Sequence, residues 1–303
     1  MNYNNIIPIL FNYNEYQWLD YLAEYGYVVI KDILNPKDRD IFWNLFKTDF
    51  MEVSPNFRFN DKNTWSKYSY PGIYDKGIIP FNGLGQSNFS WFLRTNPKIQ
   101  SLYKQLYKTD DLIVSMDAFS LFLCKEQQSE IWNHLDQNPK NEYLCYQGAY
   151  NYFKVDEDDS GFIVAPTSHL LFKPEVKHKK NWINIPSDSE WNKKMIKLLI
   201  PENCFVIWNS RTIHANVGMT KADEINRLTV YITYMPRNYS TKENTEKRVE
   251  AYLNGETCTH WANKCVIKKI PWDLKTDHEN KKFNKLEPLI KNNNIPINRK
   301  KML

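Results

Sequence analysis

Two histidines and one aspartate are the residues whose types and spacing best suit metal binding. His134 and Asp136 alternate within the strand-like run IWNHLDQ (131–137), and alternate residues of a strand face the same side. His214 follows 80 residues later in a second extended run, TIHANV (212–217). Two imidazoles and a carboxylate on a rigid β-structure match the facial triad of non-haem Fe(II) sites. The pattern therefore predicts an iron site with three open coordination positions.

A co-substrate for such an iron centre is suggested by an arginine further along the chain. The keto acid end of 2-oxoglutarate can fill two open positions, O2 can take the third, and the distant carboxylate then needs a cation. Arg227 opens the run RLTVYITY, and an arginine grips a carboxylate bidentately without losing its charge. Asn216 lies two residues beyond His214 on the same strand face, and Gln147 lies in the run YLCYQGAYNYF. We predict that Arg227 holds the distant carboxylate, that Asn216 contacts the iron ligands or the keto acid, and that Gln147 is a further contact of the co-substrate.

Candidate substrate-binding residues are aromatic or cationic and surround the expected mouth of the site. Segment 61–95 mixes both types, which can receive an anionic or ring-bearing ligand, although ordinary packing gives the same composition. The candidates are Trp65, Lys67, Tyr68, Arg94 and, as a pocket wall, Trp208. His169 and His260 could also reach the mouth, and for His169 the alternative is a role in bracing a loop.

The elements that must position these residues are helical in the first third of the chain and extended after it. The sequence predicts helices near 15–25, ending at Gly26, from Pro36 to about Phe50, and after Asn96-Pro97. Seven strand-like runs follow, at 111–124, 131–137, 143–153, 161–166, 204–210, 212–217 and 227–236. Short connections between most of these strands favour a sandwich or barrel of antiparallel strands.

We expect one integrated domain of 303 residues with three parts. Residues 1–110 form a layer of helices and strands, residues 111–237 form the β core, and residues 238–303 form a helix and a basic tail. The core carries an insertion at 167–203, with a helix expected after Ser187-Asp188. A capping-box pattern at Ser240 to Glu243 predicts the C-terminal helix, which should end at Asn254-Gly255.

Composition narrows the class of protein. The chain is 42% hydrophobic and 15% aromatic, which is typical of a globular protein rather than a disordered one. No apolar run is long enough to cross a bilayer and no signal peptide is evident, so we expect a soluble, intracellular protein. Five cysteines without a CxxC pair predict free, buried thiols rather than a disulfide framework.

Positive charge is concentrated at the C-terminus. Residues 264–303 hold 11 Lys and Arg against 4 Asp and Glu, a local charge of +7 within a net charge of +5. Such a tail can bind phosphates, but a solvated end is the favoured interpretation.

The motifs resemble the phytanoyl-CoA dioxygenase-like family of Fe(II)- and 2-oxoglutarate-dependent oxygenases. The resemblance runs over about residues 25–237, through GYVVIKDIL, WNHLDQ, SGFIVAPTSH and NCFVIWNSRTIHANVGMTKADEINRLTVYITY. It implies a double-stranded β-helix, a jelly-roll or cupin-like core that is mainly β with flanking helices. It also implies His134, Asp136 and His214 as iron ligands, which would be the catalytic centre, and Arg227 as the clamp for 2-oxoglutarate.

The resemblance further implies the reaction. Oxidative decarboxylation of 2-oxoglutarate releases succinate and CO2 and drives hydroxylation of an unactivated C–H bond in a small molecule. Asp136 favours hydroxylation over halogenation, because halogenating relatives replace this carboxylate with a small residue. Two turns depart from the family pattern, at Pro166-Thr167-Ser168-His169 and at Glu202-Asn203, where glycine is common.

Three alternatives stay open. The same oxygenase chemistry could act on a nucleic-acid base or a protein side chain, with the basic tail binding phosphate. A zinc-dependent lyase or isomerase could use the same three residues without oxygen. The barrel could also be a non-catalytic binding module.

Overall fold

A computed structural model describes residues 3–65, 77–80, 83–123, 132–173, 180–218, 224–268 and 294–303. The strands, in chain order, are β1 (Asn4–Ile6), β2 (Leu10–Phe11), β3 (Tyr27–Ile30), β4 (Ile78–Ile79), β5 (Leu112–Val114), β6 (Phe119–Phe122), β7 (His134–Leu135), β8 (Tyr146–Asn151), β9 (Gly161–Val164), β10 (Ile183–Asn184), β11 (Ile196–Leu198), β12 (Cys204–Asn209), β13 (His214–Val217), β14 (Arg227–Tyr231) and β15 (Tyr234–Pro236). The α-helices are α1 (Gln17–Tyr25), α2 (Pro36–Val53), α3 (Asn88–Arg94), α4 (Pro97–Tyr107), α5 (Ser168–Leu171), α6 (Lys242–Leu253) and α7 (Ile297–Lys300).

The chain divides into two compact units. Unit 1 comprises Met1–Ile33, Asp75–Gly77 and Phe122–Thr229, and unit 2 comprises Leu34–Tyr74, Ile78–Leu121 and Val230–Leu303. The division falls within β14. The three-part organisation at 1–110, 111–237 and 238–303 stays a prediction.

Unit 1 is built from two β-sheets. The first has the strand order β1, β11, β9, β13, β7, β10, and all its pairings are antiparallel except that of β1 with β11. The second runs β2, β3, β12, β8 and the start of β14. Strand β12 lies antiparallel between β3 and β8, whereas β2 is parallel to β3. Five of these strands are buried at every residue, as expected for the middle of a layered β structure: β3, β7, β9, β12 and the unit 1 part of β14.

The two sheets of unit 1 pack face to face. Side chains at alternate positions separate an outer from an inner face of the first sheet. An apolar cluster that includes Leu135, Ile163 and Ala215 covers the outer face. The inner face presents His134, His214 and neighbouring residues toward the second sheet, where the Trp208 ring lies 5.3 Å from that of His214.

Local sequence signals explain how α1 ends in unit 1. Gly26 takes the left-handed conformation with φ of 80°, and its N–H donates to the Leu22 carbonyl oxygen at 2.9 Å. Glycine suits this position because a Cβ would meet His169 Nδ1 and Thr212 Oγ1 at 2.5 Å. The predicted helix end at Gly26 is confirmed.

Unit 2 contains the longer helices. The Asn35 side chain accepts the Asp38 N–H at 2.9 Å at the start of α2, and the Asn96 side chain caps α4 by accepting two backbone N–H groups. Thr241 rather than Ser240 caps α6, accepting the Asn244 N–H at 3.2 Å. Helix α2 continues to Val53, slightly beyond the predicted end.

Two of the three longest predicted strands of the sequence are interrupted. Run 111–124 contains β5 and β6, and run 227–236 contains β14 and β15. In unit 2, β5 pairs with β15, and β6 pairs separately with β4. Ser115 N–H donates to the Thr233 carbonyl oxygen at 2.7 Å, whereas the Thr233 N–H donates to the Ser115 hydroxyl at 3.0 Å, so a side-chain hydroxyl takes the place of one backbone acceptor at this point.

The predicted insertion contributes to the first sheet of unit 1. Residues 167–203 include α5, β10 and β11, and the helix expected after Ser187-Asp188 is a 3₁₀ helix at Glu190–Lys194. Residues 174–179 lie outside the described part of the chain.

Two further expectations from the sequence can be compared with the fold. Cys145, Cys204, Cys258 and Cys265 are all free thiols, three of them buried, as predicted, and Cys124 lies outside the described residues. Among the helices that the structure describes, none has the length and apolar composition needed to span a membrane.

Candidate metal centre

Three side chains of unit 1 bring nitrogen and oxygen atoms to one point. One ligand atom from each of His134, Asp136 and His214 lies within 4.8 Å of the others. The Asp136 Oδ2 atom is 3.5 Å from His134 Nε2 and 3.3 Å from His214 Nε2. Ligand atoms bonded at about 2.1 Å to one ion and meeting near a right angle lie about 3.0 Å apart. Both distances to the aspartate are within about half an ångström of that value.

The strand register places the two histidines next to each other. His214 of β13 lies directly opposite His134 of β7 in the antiparallel pair, and their ring centroids are 4.5 Å apart. Asp136 follows immediately after β7, where its N–H donates to the Ser210 carbonyl oxygen at 3.0 Å. Backbone pairing thus fixes all three ligands on the inner face of the first sheet.

Backbone carbonyls set the tautomers of both imidazoles. His134 Nδ1 lies 2.8 Å from the Trp132 carbonyl oxygen, and His214 Nδ1 lies 2.9 Å from the Thr212 carbonyl oxygen. A carbonyl oxygen can only accept, so each Nδ1 carries the hydrogen and each Nε2 lone pair is available to a metal. Burial lowers the pKa of His214, and the neighbouring His134 lowers it further. His214 is therefore kept in the neutral form that ligates metals.

Gln147 orients the aspartate. Its Nε2 donates to Asp136 Oδ2 at 2.9 Å from β8 in the opposite sheet. This is the oxygen that faces both histidines, so the amide fixes the carboxylate rotamer at the metal position. Gln147 thus contacts Asp136, a candidate iron ligand. Its predicted contact with the co-substrate stays a prediction.

Aromatic rings enclose the imidazoles. The Trp132 ring stacks on His134 with centroids 4.4 Å apart, and Trp182 stacks on the same ring at 5.8 Å. Phe162 lies 5.9 Å and Trp208 lies 5.3 Å from the His214 ring. Trp208 is only 2% exposed, whereas Trp182 is 48% exposed. The site is thus enclosed by buried rings on the His214 side and more exposed next to Trp182, and the role of Trp208 as a pocket wall stays a prediction.

A buried arginine, Arg227 at the start of β14, contacts Asn216 of β13, the strand that carries His214. Arg227 is 3% exposed, and its Nη2 donates to Asn216 Oδ1 at 2.9 Å while its Nε donates to Thr229 Oγ1 at 3.0 Å. Asn216 is two residues beyond His214 on the same face of β13, a rise of about 7 Å. A five-carbon dicarboxylate could extend over that interval from the metal to the guanidinium. The two predicted residues Arg227 and Asn216 are therefore in direct contact.

Trp65 and Arg94, two of the predicted substrate residues of segment 61–95, belong to unit 2. The Trp65 indole N–H donates to the Arg58 carbonyl oxygen at 2.9 Å. Arg94 is fully buried, and its guanidinium donates to the carbonyl oxygens of Gly85 and Asp117. These contacts are structural, and a role in substrate binding stays a prediction for both residues. Lys67 and Tyr68 lie outside the described residues.

The two remaining histidine candidates differ in location. In unit 1, His169 Nε2 lies 2.9 Å from the Ala23 carbonyl oxygen, so this imidazole braces α1, and burial lowers its pKa. Two residues before His169, Thr167 has a φ of 66°, although it is not glycine; this is the turn where the sequence departs from the family pattern. His260 lies in unit 2, with its ring 5.0 Å from that of Trp261.

Sequence reasoning missed Trp132, Trp182 and Phe162 as neighbours of the metal ligands. Alternation along a strand tells which residues share a face. It could have predicted Trp132 and Phe162 as neighbours of the ligands only if the strand register had been known. Trp182 lies in the insertion just before β10, whose pairing of Asn184 with His134 brings it to the site.

The donor set fits an iron ion and 2-oxoglutarate. Two neutral imidazoles and one carboxylate are the ligands of facial Fe(II) sites, and they leave open positions on the ion. The buried guanidinium of Arg227 is suited to a distant carboxylate. This ligand set is typical of the metal-dependent oxygenase class.

Comparisons with known proteins agree with that class. No protein-family model matches the chain. "Ava biosynthesis cluster protein O" from Aspergillus versicolor is 25% identical over 281 residues, covering 84% of this chain and 88% of that protein. A Dictyostelium discoideum protein provisionally named a phytanoyl-CoA dioxygenase is 24% identical over 248 residues, covering 66% of this chain and 70% of its own length.

Solved structures show the fold. The epimerase SnoN, in complex with Fe3+ and α-ketoglutarate, has a TM-score of 0.54 and 16% identity over 73% of this chain and 83% of its own. The α-ketoglutarate-dependent carbocyclase SnoK has a TM-score of 0.53 and 15% identity over 74% and 84% of the chains. AviO1 from Streptomyces viridochromogenes Tue57 has a TM-score of 0.51 and 13% identity over 75% and 97%.

These findings confirm the predicted fold class, mainly β with flanking helices around a cupin-like core. They also confirm the resemblance to the phytanoyl-CoA dioxygenase-like family of Fe(II)- and 2-oxoglutarate-dependent oxygenases. In fold the chain is similar to the α-ketoglutarate-dependent enzymes SnoN and SnoK, and its His134, Asp136 and His214 side chains are placed to hold a metal ion.

Proposed function

We propose that this protein is an Fe(II)- and 2-oxoglutarate-dependent dioxygenase that hydroxylates an unactivated C–H bond of a small molecule, with release of succinate and CO2. The observation that carries the proposal is the convergence of His134, Asp136 and His214 within 4.8 Å, inside a β-structure of the oxygenase type. In the proposal these three residues are the catalytic iron ligands. Retention of Asp136 supports hydroxylation, because the carboxylate occupies the position that a halide would need.

The residues around the ligands have separate roles in the proposed reaction. Bound iron with 2-oxoglutarate supplies the activation of O2 and the oxidising power. His134 and His214 hold the ion through Nε2, because their Nδ1–H groups are committed to backbone carbonyls. Gln147 holds the Asp136 carboxylate toward the ion. Arg227 and Asn216 fix the distant carboxylate of 2-oxoglutarate and so align its keto acid end.

The surroundings of the ligands support a small-molecule substrate. Trp208 and Phe162 keep water from the His214 side of the site, and their ring centroids are 4.9 Å apart. The exposed Trp182 next to His134 offers a flat surface for an apolar or ring-bearing substrate. The structural relatives SnoN and SnoK belong to nogalamycin biosynthesis, which also involves a small molecule. A nucleic-acid substrate would depend on the basic tail, most of which lies outside the described residues.

Succinate release tests the proposed reaction before the substrate is known. The protein is loaded with Fe(II) and 2-oxoglutarate without oxygen and then exposed to 18O2. We expect slow succinate release with one labelled oxygen in the wild type and none above background in Asp136→Ala. Asp188→Ala removes an exposed carboxylate of unit 1 and should behave as the wild type.

The possible outcomes distinguish the competing functions. Equal succinate release by Asp136→Ala and the wild type would contradict the ligand assignment. Iron binding without succinate release would favour a non-catalytic module. Oxygen-independent turnover of a candidate substrate with Zn²⁺ would favour the lyase or isomerase.

A further inference from the structure

Two cysteines of unit 2 form a second chemically reactive cluster. The Sγ atoms of Cys258 and Cys265 lie 3.8 Å apart, although the two cysteines are seven positions apart in the chain. A disulfide bond requires about 2.0 Å between the sulfur atoms, so they must approach by roughly 1.8 Å. Neither residue takes part in the proposed oxygenase chemistry.

A short hairpin holds the two thiols together. Cys258 bridges Ile267 in antiparallel fashion, and on either side Thr259 N–H donates to the Val266 carbonyl oxygen and Lys268 N–H to the Thr257 carbonyl oxygen. These two hydrogen bonds measure 3.0 and 2.9 Å. Backbone pairing therefore fixes the cysteines before any bond joins them, which removes most of the entropy cost of bringing them together.

The two sulfurs differ in exposure and in acidity. Cys258 is 1% exposed, whereas Cys265 is partly exposed. The Cys258 S–H can donate to the Cys265 sulfur, and this hydrogen bond lowers the pKa of Cys265 to about 7. The same contact, together with burial, raises the pKa of Cys258. Cys265 is thus the thiolate that solvent can reach, and Cys258 is the thiol behind it.

We propose that Cys258 and Cys265 are an oxidisable thiol pair that closes to an intramolecular disulfide by exchange with a low-molecular-weight disulfide. The Cys265 thiolate attacks one sulfur of glutathione disulfide, the disulfide bond of the reagent breaks, and glutathione thiolate leaves. Cys258 then loses its proton and attacks the Cys265 sulfur, which expels the second glutathione thiolate. The two leaving thiolates take up the protons of the cysteines. Two electrons pass from the cysteine pair to glutathione disulfide, which becomes two molecules of glutathione.

Two other cysteines provide internal controls. Cys145 and Cys204 are buried in unit 1, and burial raises the pKa of Cys204 to about 12. A buried thiol with a raised pKa exchanges slowly. Both residues should stay reduced under conditions that oxidise the hairpin pair.

The sequence makes the disulfide easy to map. Trypsin cleaves after Lys264, which separates peptide 249–264 with Cys258 from peptide 265–268 with Cys265. The reduced full-length protein is treated with glutathione disulfide, its remaining thiols are alkylated in acid, and the tryptic peptides are analysed by mass spectrometry. We expect the two peptides to be joined in the wild type and to separate on reduction. An absence of the joined pair, with Cys265 either unmodified or carrying glutathione, would overturn the proposal.

Single variants test the order of attack. In Cys258→Ser, Cys265 should accumulate bound glutathione, because no second thiol displaces it. In Cys265→Ser, Cys258 should stay reduced, and Cys204→Ser should yield the joined peptides as the wild type does. Equal glutathione addition at Cys265 in Cys258→Ser and in the wild type would also overturn the proposal.

Discussion

Replacement of Arg227 by alanine should weaken 2-oxoglutarate binding without affecting iron binding. The guanidinium is 3% exposed and is aligned by Asn216 and Thr229, so water cannot easily replace it. Truncating one partner of a buried charge pair costs about 2 to 5 kcal/mol. This loss corresponds to roughly 30-fold to 4,000-fold weaker binding. The depth of burial argues against the lower end of that range, and we expect binding to be weaker by about 100-fold or more.

Anaerobic calorimetry measures the effect directly. 2-Oxoglutarate is titrated into the Fe(II)-loaded wild type, Arg227→Ala and Arg227→Lys. The lysine variant keeps the charge but loses the planar fork, so its affinity should be intermediate. Arg237→Ala is the matched control, because Arg237 pairs with Asp111 at the surface of unit 2. As a check that the variant is folded, Arg227→Ala must unfold at about the same temperature as the wild type and bind Fe(II) with the same affinity.

An unchanged 2-oxoglutarate affinity in Arg227→Ala would refute this reasoning. The clamp would then be another cation, and the hydrogen bond from Arg227 to Asn216 would be purely structural. Loss of Fe(II) binding together with 2-oxoglutarate binding would instead show that Arg227 supports the ligands themselves.

Three other perturbations have defined outcomes. Gln147→Leu removes the hydrogen bond to Asp136 Oδ2 and should lower Fe(II) affinity about 10-fold to 100-fold in equilibrium dialysis; an unchanged affinity would contradict the role of the amide. Gly26→Ala places a Cβ 2.5 Å from two side chains at φ of 80°, so urea titration should show the free energy of unfolding reduced by about 2 kcal/mol or more, and equal stability would contradict this. Burial lowers the pKa of His169 below 6.5, so below that pH the unfolded chain binds a proton that the folded chain lacks, and stability falls as the pH drops. His169→Gln should flatten this loss in urea titrations at different pH values, whereas parallel pH profiles would exclude His169 as its source.

The ligand types could be predicted from sequence because their signal is local. Alternation along one strand puts His134 and Asp136 on one face, and the chemistry of imidazole and carboxylate suggests the metal. The pairing of His134 with His214 depends on which strands become neighbours and in which register. That information is non-local, so the sequence could suggest His214 as the third ligand but could not show that its strand pairs with the strand of His134.

The two strand interruptions differ in their local signal. Run 227–236 keeps β-branched residues at its break, Ile232 and Thr233, so propensity alone predicts a continuous strand there. The break in run 111–124 spans Ser115 to Ala118 and includes Asp117, a residue type that is depleted in strands. The hydrogen bonds between Ser115 and Thr233 connect residues that are distant in the chain. Helix ends were easier to predict, because Asn35, Asn96 and Gly26 act on their own neighbours.

Anomalous diffraction from crystals grown without oxygen in the presence of Fe(II) tests the central claim most directly. The account predicts a single strong iron peak within about 2.2 Å of His134 Nε2, His214 Nε2 and an Asp136 carboxylate oxygen. Crystals of Asp136→Ala should show a much weaker peak at the same place. An iron peak coordinated by other residues, or no peak between the two imidazoles in the wild type, would contradict the account.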